Sequence, residues 1–240
     1  MQEIELKEIK KDYRSNEAYK SLRTNIEFSG EDNKVLVFTS CTSNEGKSTV
    51  TLALAHSLAE AGKKVLFIDA DLRKSVLAGR HNVNGQLKGL SHFLSGQTEL
   101  GEVMYRVKDT NMVMIFAGVI PPNPAELLGS KRFESLLTSA RKAYDYVIID
   151  APPLGSVIDA AIIAKQSDAS VLVISANTVS HKFAKVVKEQ LEKSGCPILG
   201  VVLNKVDMGQ NKYYGRYYGK YYGSYGDYGH EKEGKAEEEA

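Results

Sequence analysis

Several functional classes are excluded by what this sequence lacks. It has two cysteines, Cys41 and Cys196, too few for a disulfide framework or a thiolate metal site. Its five histidines have no ligand spacing. Basic and acidic side chains nearly cancel, 31 against 30, so no global field favours nucleic acid, and no nucleic-acid partner is expected. The apolar runs are short, "KVLVF" and "SVLVIS" among them, far below the roughly 20 residues that span a bilayer. The N-terminus, "MQEIELKEIKKDYR", is charged throughout and unlike a secretory signal. The expectation is a cytoplasmic protein without a structural metal.

What is present reads as one large α/β domain with appendages, which 240 residues can accommodate. Apolar, β-branched runs recur at Val35–Ser40, Val65–Ile68, Val113–Phe116, Tyr146–Ile149, Ser170–Ser175 and Ile198–Leu203. They do not alternate with polar residues, the pattern of strands buried on both faces. Helical patterns separate them at Gly46–Ala61, Ser130–Ala143 and His181–Lys193, with Ser180 as an N-cap and Gly195 as a stop for the last. The predicted fold is a mostly parallel β-sheet flanked by helices on both faces. Residues 1–33 read as an N-terminal helical segment, 34–207 as the main domain, and 208–240 as a tail too poor in aliphatic residues to order itself.

One strand–loop–helix carries chemistry. "VLVFTSCTSNEGKSTV" ends in Gly46-Lys47-Ser48, the close of a Walker A phosphate loop. Such a loop wraps backbone N–H groups round a β-phosphate, here from Ser43, Asn44, Glu45, Gly46, Lys47, Ser48 and Thr49. Lys47 reaches the β- and γ-phosphates and the Ser48 hydroxyl faces Mg²⁺. A phosphate-facing lysine is not expected to be core. The strict pattern has glycine where Cys41 stands. A second strand delivers Asp69 and Asp71 in "KVLFIDADLR", and a third delivers Asp150 in "YDYVIIDAPP". Ligands sit at the carboxyl ends of strands in such sheets, and carboxylates there hold Mg²⁺. Spacing i, i+2 points Asp69 and Asp71 the same way if the strand continues. Arg73, Lys74 and Arg80 follow, either to steer phosphate or as a solvated loop.

These motifs, together with "EAYKSLRTNIEF", "GLSHFLSGQTEL", "AGVIPPNPAELLGSKRFESLL" and "APPLGSVIDAAIIA", resemble the bacterial tyrosine kinases of the capsule and exopolysaccharide type from Gram-positive bacteria. The resemblance covers Lys11 to about Asp207. It implies the P-loop fold of the MinD/ParA partition ATPases, with ATP and Mg²⁺ as cofactors. The partition ATPases carry a lysine where this chain has Thr42, so a nucleotide-switched ATPase scaffold is the alternative reading. The resemblance implies a catalytic set of Lys47, Asp69 and Asp71, with Asp69 receiving the substrate tyrosine's proton. Ser48, Asp71 and Asp150 are implied on the metal, and Asn204 near the adenine. The family's loop has Pro-Gly where Ser43-Asn44 stand, and asparagine is the next most tolerant residue if that position needs φ > 0. Its N-terminal helix carries Glu, Arg, Arg at three-residue spacing for ring assembly. Here those positions are Glu17, Lys20 and Arg23, and lysine lacks the bidentate fork.

"NKVD", Asn204 to Asp207, matches the guanine-reading motif of GTPases, but the D-x-x-G of that class is missing, since "DAPP" has proline in place of glycine. The tail "YYGRYYGKYYGSYGDYG" holds eight of the thirteen tyrosines: Tyr213, Tyr214, Tyr217, Tyr218, Tyr221, Tyr222, Tyr225 and Tyr228. Alone it would read as an adhesive, low-complexity segment. Beside a phosphoryl-transfer site it reads as the enzyme's own substrate, each phenol kept accessible by glycine. The resemblance further implies a membrane adaptor whose cytoplasmic tail activates the kinase at the inner face of the membrane. It also implies a ring-shaped homo-oligomer and an opposing protein-tyrosine phosphatase.

Overall fold

The computed structural model describes residues 1–6, 13–80 and 87–207; the tail tyrosines lie outside them. The chain divides into two units, Met1–Asn204 and Lys205–Ala240, and the fold below is that of the first.

Its elements, in chain order, are β1 (Gln2–Ile4), α1 (Tyr13–Phe28), β2 (Val35–Ser40), α2 (Lys47–Glu60), β3 (Val65–Asp69) and α3 (Leu77–Arg80). Then come α4 (Leu90–Leu94), a 3₁₀ turn (Leu100–Glu102), β4 (Tyr105–Val107), β5 (Met112–Ile115), α5 (Pro124–Leu128) and α6 (Lys131–Ala143). The chain continues through β6 (Tyr146–Asp150), α7 (Asp159–Ala164), β7 (Ala169–Ser175), α8 (His181–Glu192) and β8 (Ile198–Asn204). Among the described residues the strands form one eight-stranded sheet, in the order β1-β4-β5-β3-β6-β2-β7-β8. β4 is antiparallel to β5, β1 is parallel to β4, and the other neighbours are parallel.

The strands β2, β3 and β5 are buried along their whole length, as expected; β8, read from the same apolar pattern as buried on both faces, is not, because it lies at the sheet edge, and Val201 and Leu203 are exposed. The side chains of the buried strands still alternate between two cores, because the strand period is two. Val35 and Val37 join Phe133, Leu136 and Leu137 of α6, Ile163 of α7 and Leu191 of α8 on one face. Leu36 and Phe38 join Leu52, Leu54 and Leu58 of α2 and Ile26 of α1 on the other. α2 is buried on nearly every side, since the sheet lies under it and α1 over it.

Ser130 and Ser180 cap α6 and α8, each accepting from the amide three residues on, at 3.3 and 3.2 Å. Gly195, at φ 80°, turns the chain away after α8. The N-terminal segment holds a strand as well as a helix: β1 extends the sheet beside β4. Neither three-residue strand was read from the sequence, since three residues are too few to show a period.

Candidate active site

The strand order sets the site. β3, β6 and β2 are consecutive neighbours, so the ends of the three motif-bearing strands open side by side at one edge.

β2 runs into the loop 41–46, and α2 starts at Lys47. Gly46 is left-handed at φ 84°, and Asn44 at φ 66°. Asparagine thus stands where the backbone needs a residue tolerant of positive φ. The helix ladder opens with Val50 N–H donating to Gly46 O at 3.0 Å. The amides of Lys47, Ser48 and Thr49 precede it, the donors that a helix start presents to an anion. Glu45, 1 % exposed, does more than contribute an amide. Its Oε2 accepts from Thr42 N at 2.7 Å and its Oε1 from Ser175 N at 3.2 Å. Its carbonyl accepts from Asn204 Nδ2 at 2.9 Å. One residue therefore ties the loop to the ends of β7 and β8, and fixes Asn204 against the phosphate loop. Neither role was legible from spacing.

The carboxylates occupy three different environments. Asp69 and Asp150 are register partners on β3 and β6, and both are buried. Lys47 Nζ lies 2.5 Å from Asp150 Oδ1 and 3.3 Å from Ser48 Oγ. The lysine is itself buried, which corrects the expectation that it lies outside the core: the buried Asp150 carboxylate draws it in. Asp69 accepts from Ser75 Oγ and, at 3.3 Å, from Asp71 N. Burial, and next the Asp150 carboxylate, push its pKa up to about 7. Asp71 lies past the end of β3. The strand does not continue, so alternation does not aim it. Its Oδ1 instead accepts from Arg73 N at 3.3 Å and Lys74 N at 2.9 Å. Arg73, expected to steer phosphate or to be solvated, forks onto the buried Asp159 at 2.8 and 2.9 Å.

A magnesium ion fits this donor set. Among the described residues no cluster of three or more His, Cys, Asp or Glu could cage a metal, but Mg²⁺ takes one or two protein oxygens beside substrate phosphates and waters. The Ser48 hydroxyl and the Asp150 carboxylate converge on one ammonium, at the phosphate loop, and would supply those oxygens.

Comparison with known proteins places this geometry in a family. A family model described as an AAA domain matches residues 33–193. The tyrosine-protein kinase CpsD of Streptococcus agalactiae is 41% identical over 216 residues, covering 90% of this chain and 89% of that protein. The chain belongs to the bacterial tyrosine-protein kinases. The kinase domain of the Escherichia coli tyrosine kinase ETK superposes with a TM-score of 0.74 at 34% identity, covering 80% of this chain and 78% of that one. The septum site-determining protein MinD from Pyrococcus horikoshii, complexed with Mg-ADP, has a TM-score of 0.63 at 25% identity, over 75% and 72% of the two chains. The kinase therefore has the MinD-type P-loop fold that its sequence implied, a fold that binds nucleotides.

The segment after β6 of this kinase is laced to β2 and to the start of the phosphate loop. Ala151 N donates to Phe38 O at 3.0 Å and Leu154 N to Ser40 O at 2.9 Å. Thr39 Oγ1 donates to Pro152 O at 2.8 Å. A Cβ on Gly155 would sit 2.2 Å from the Cys41 carbonyl oxygen, so only glycine lets the two backbones approach. Cys41 is buried, and burial pushes its thiol up to about 11: it is packing, not a reactive group. Cys196 is likewise buried, its thiol also pushed up to about 11 by burial.

The three residues matched to the kinase's assembly motif lie on α1. Lys20 Nζ pairs with Glu17 at 2.7 Å within the helix. Arg23 Nη1 donates to the Ser57 carbonyl of α2 at 3.0 Å, a contact inside its own chain. No helix among the described residues is long and apolar enough to cross a membrane.

Proposed function

We propose that this kinase transfers the γ-phosphoryl group of Mg-bound ATP to tyrosine hydroxyls, first those of its own tail. The observation that carries the reading is the Asp69–Asp150 register pair beside the Lys47 ammonium at the start of α2. That places two carboxylates, one cation and a helix N-terminus round one point.

In this reading the amides of residues 43–49 and the Lys47 ammonium hold the β- and γ-phosphates, and Asn204 lies on the base side. Ser48, Asp71 and Asp150 would hold Mg²⁺, which when bound neutralises charge on the transferring group. The phenol oxygen attacks the γ-phosphorus, the bond to the ADP oxygen breaks, and the phenol proton passes to Asp69. A carboxylate pushed up toward 7 by burial takes a proton more readily than an ordinary one. The loose transition state asks little of the base, so orienting the hydroxyl is the larger contribution.

The acceptors are Tyr213, Tyr214, Tyr217, Tyr218, Tyr221, Tyr222, Tyr225 and Tyr228, and the modification regulates the synthesis and export of capsular or extracellular polysaccharide. The partners are a membrane adaptor with a cytoplasmic activating tail, further copies assembled in a ring through α1, and a tyrosine phosphatase. The protein works in the cytoplasm at the inner face of the membrane. The likeness to MinD sustains a second reading, a nucleotide-switched ATPase.

One experiment separates the two: incubation of the purified chain with Mg-ATP, with and without an adaptor peptide, followed by mass spectrometry of the tail. Phosphotyrosine between residues 213 and 228 is expected. ATP turnover without phosphotyrosine would establish the switch. In a competition titration Mg-ATP should bind more tightly than Mg-GTP.

A further inference from the structure

The fork between Arg73 and Asp159 joins the turn after β3 to the start of α7. Asp159 opens α7 and is fully buried, and Arg73 Nε and Nη2 meet its two oxygens at 2.8 and 2.9 Å. Arg73 also donates its backbone N–H to Asp71 Oδ1, beside the Lys74 amide. The direction of the Asp71 carboxylate is thus set by the backbone of residues 73 and 74. That backbone is anchored to the start of α7 by the guanidinium.

The anchor closes a ring of contacts. β3 and β6 end as register neighbours at Asp69 and Asp150. From Asp69 the chain leaves β3 as an exposed turn. From Asp150 it runs through residues 151–158, fastened to β2 by the Ala151 and Leu154 amides, and reaches Asp159. The fork joins the far ends of these two excursions. Ala70 and Leu72, on either side of Asp71, are buried in the core, and the Ala70 amide donates to Asp150 O; beyond them, without the fork, the exposed residues 73–76 would be held by Ser75 Oγ on Asp69 and by their own local bonds. The planar fork matters here: a lysine could make one such bond but not fix the plane.

We propose that Arg73 and Asp159 are positioning residues, which hold the turn after β3 so that the Asp71 carboxylate faces the same metal as Asp150. The inference rests on the reading of Asp71 as a metal-side carboxylate. Partners that orient a metal ligand typically change metal affinity about 10- to 100-fold when lost.

The test uses the full chain with R73K, R73A, D159N and the double variant R73A/D159N, and D71N as the reference. Two readouts are taken. Hydrogen exchange, read by mass spectrometry on the peptide spanning residues 70–77 without metal or nucleotide, reports the turn itself. Mn²⁺ affinity of the ADP complex, read by electron paramagnetic resonance, reports the ligand. Faster exchange in that peptide is expected for R73A and D159N, with exchange in β2 and β6 unchanged. Mn²⁺ binding should weaken about tenfold or more in both, with R73K between them and the wild type. The double variant should be no worse than the worse single, since each change removes the same link.

R73A leaves a buried carboxylate without its partner, so D159N and R73K carry the test if R73A fails to fold. Wild-type exchange at 70–77 together with Mn²⁺ affinity within twofold in D159N and R73K, while D71N weakens Mn²⁺, overturns the proposal. Should D71N leave Mn²⁺ binding unchanged, the reading of Asp71 fails by itself, and exchange at the turn alone then decides whether the fork positions it.

Discussion

The two halves of this site are built differently. The phosphate half, from Thr39 to Thr51, is rooted in the interior: Cys41, Glu45 and Lys47 are buried while Ser43, Asn44 and Thr49 are exposed, and the loop is tied to β6, β7 and β8 by backbone and side-chain bonds. The acid half buries Asp69 and then leaves the sheet, with Arg73, Lys74, Ser75 and Val76 exposed. Two side-chain hydrogen bonds, Ser75 on Asp69 and Arg73 on Asp159, and the buried Leu72 hold that turn. The phosphates of a nucleotide are the same in every turnover, and amides preorganised toward them need not move. A phenol must enter and leave, and an exposed turn gives it access. Substitutions in the phosphate half should therefore damage stability and chemistry together, whereas the buried acid of the other half, Asp69, should serve chemistry at the expense of stability.

The largest expected effect breaks the phosphate half. Lys47→Met removes the phosphate lysine and leaves Asp150 buried without its cation. Phosphotyrosine formation should vanish, and stability should fall by about 3–5 kcal/mol, the usual cost of stripping one partner from a buried pair. K47M/D150N, which removes the stranded charge, should recover most of the stability and none of the activity. Chemical denaturation of the three proteins checks this. K47M as stable as the wild type would mean that the ion pair contributes nothing to the fold.

Asp69→Asn sharpens the contrast from the other side. It removes one of two carboxylates that face each other across the β3–β6 register, and the amide oxygen can still accept from Ser75. Phosphotyrosine formation should drop about 100-fold or more. The melting temperature should rise, by roughly 2–4 °C for a gain near 1 kcal/mol in a chain of this size. A lower melting temperature would show that the buried acid stabilises the fold, and the two halves would then not differ in kind.

Gly155→Ala tests how tightly the phosphate half is packed. A methyl group 2.2 Å from the Cys41 carbonyl oxygen must push the loop or the segment after β6 aside, at about 1–3 kcal/mol. Nucleotide affinity should fall with stability. Unchanged ADP binding by calorimetry would mean that the strain is absorbed outside the loop.

Much of this was legible in the sequence, and the boundary has a physical cause. Continuous apolar runs gave the six longer strands, and Ser180 and Gly195 marked the ends of α8. The phosphate loop and the three acids were recognisable because their chemistry demands fixed residues at short spacing. What escaped depends on contacts between distant segments. Glu45 reaches Ser175, Arg73 reaches Asp159, and Gly155 touches Cys41, and no local pattern encodes such pairs. Arg23 belongs with them: a helical position matched to an assembly motif turns out to hold α1 onto α2, so its charge reversal would disturb the chain's own fold as well as any ring.

The smallest expected effect concerns Asn44, which stands where the resemblance implies glycine. Asn44 stands at φ 66°, where a left-handed conformation costs an ordinary L-residue roughly 1–2 kcal/mol and asparagine less. Glycine would remove the remaining strain, but a glycine also gives the unfolded chain more freedom, worth about 0.4–1 kcal/mol in the opposite direction. The two terms nearly cancel, so N44G should change stability by less than about 1 kcal/mol and leave nucleotide affinity close to that of the wild type. Alanine has neither the tolerance nor the freedom, and N44A should be less stable than N44G by about 1 kcal/mol, the size of a left-handed penalty without compensation. Urea denaturation of the two variants decides the matter. Equal stability of N44A and N44G would mean that the loop relaxes out of the left-handed region once the asparagine is gone, and the phosphate half would then be softer than its burial implies.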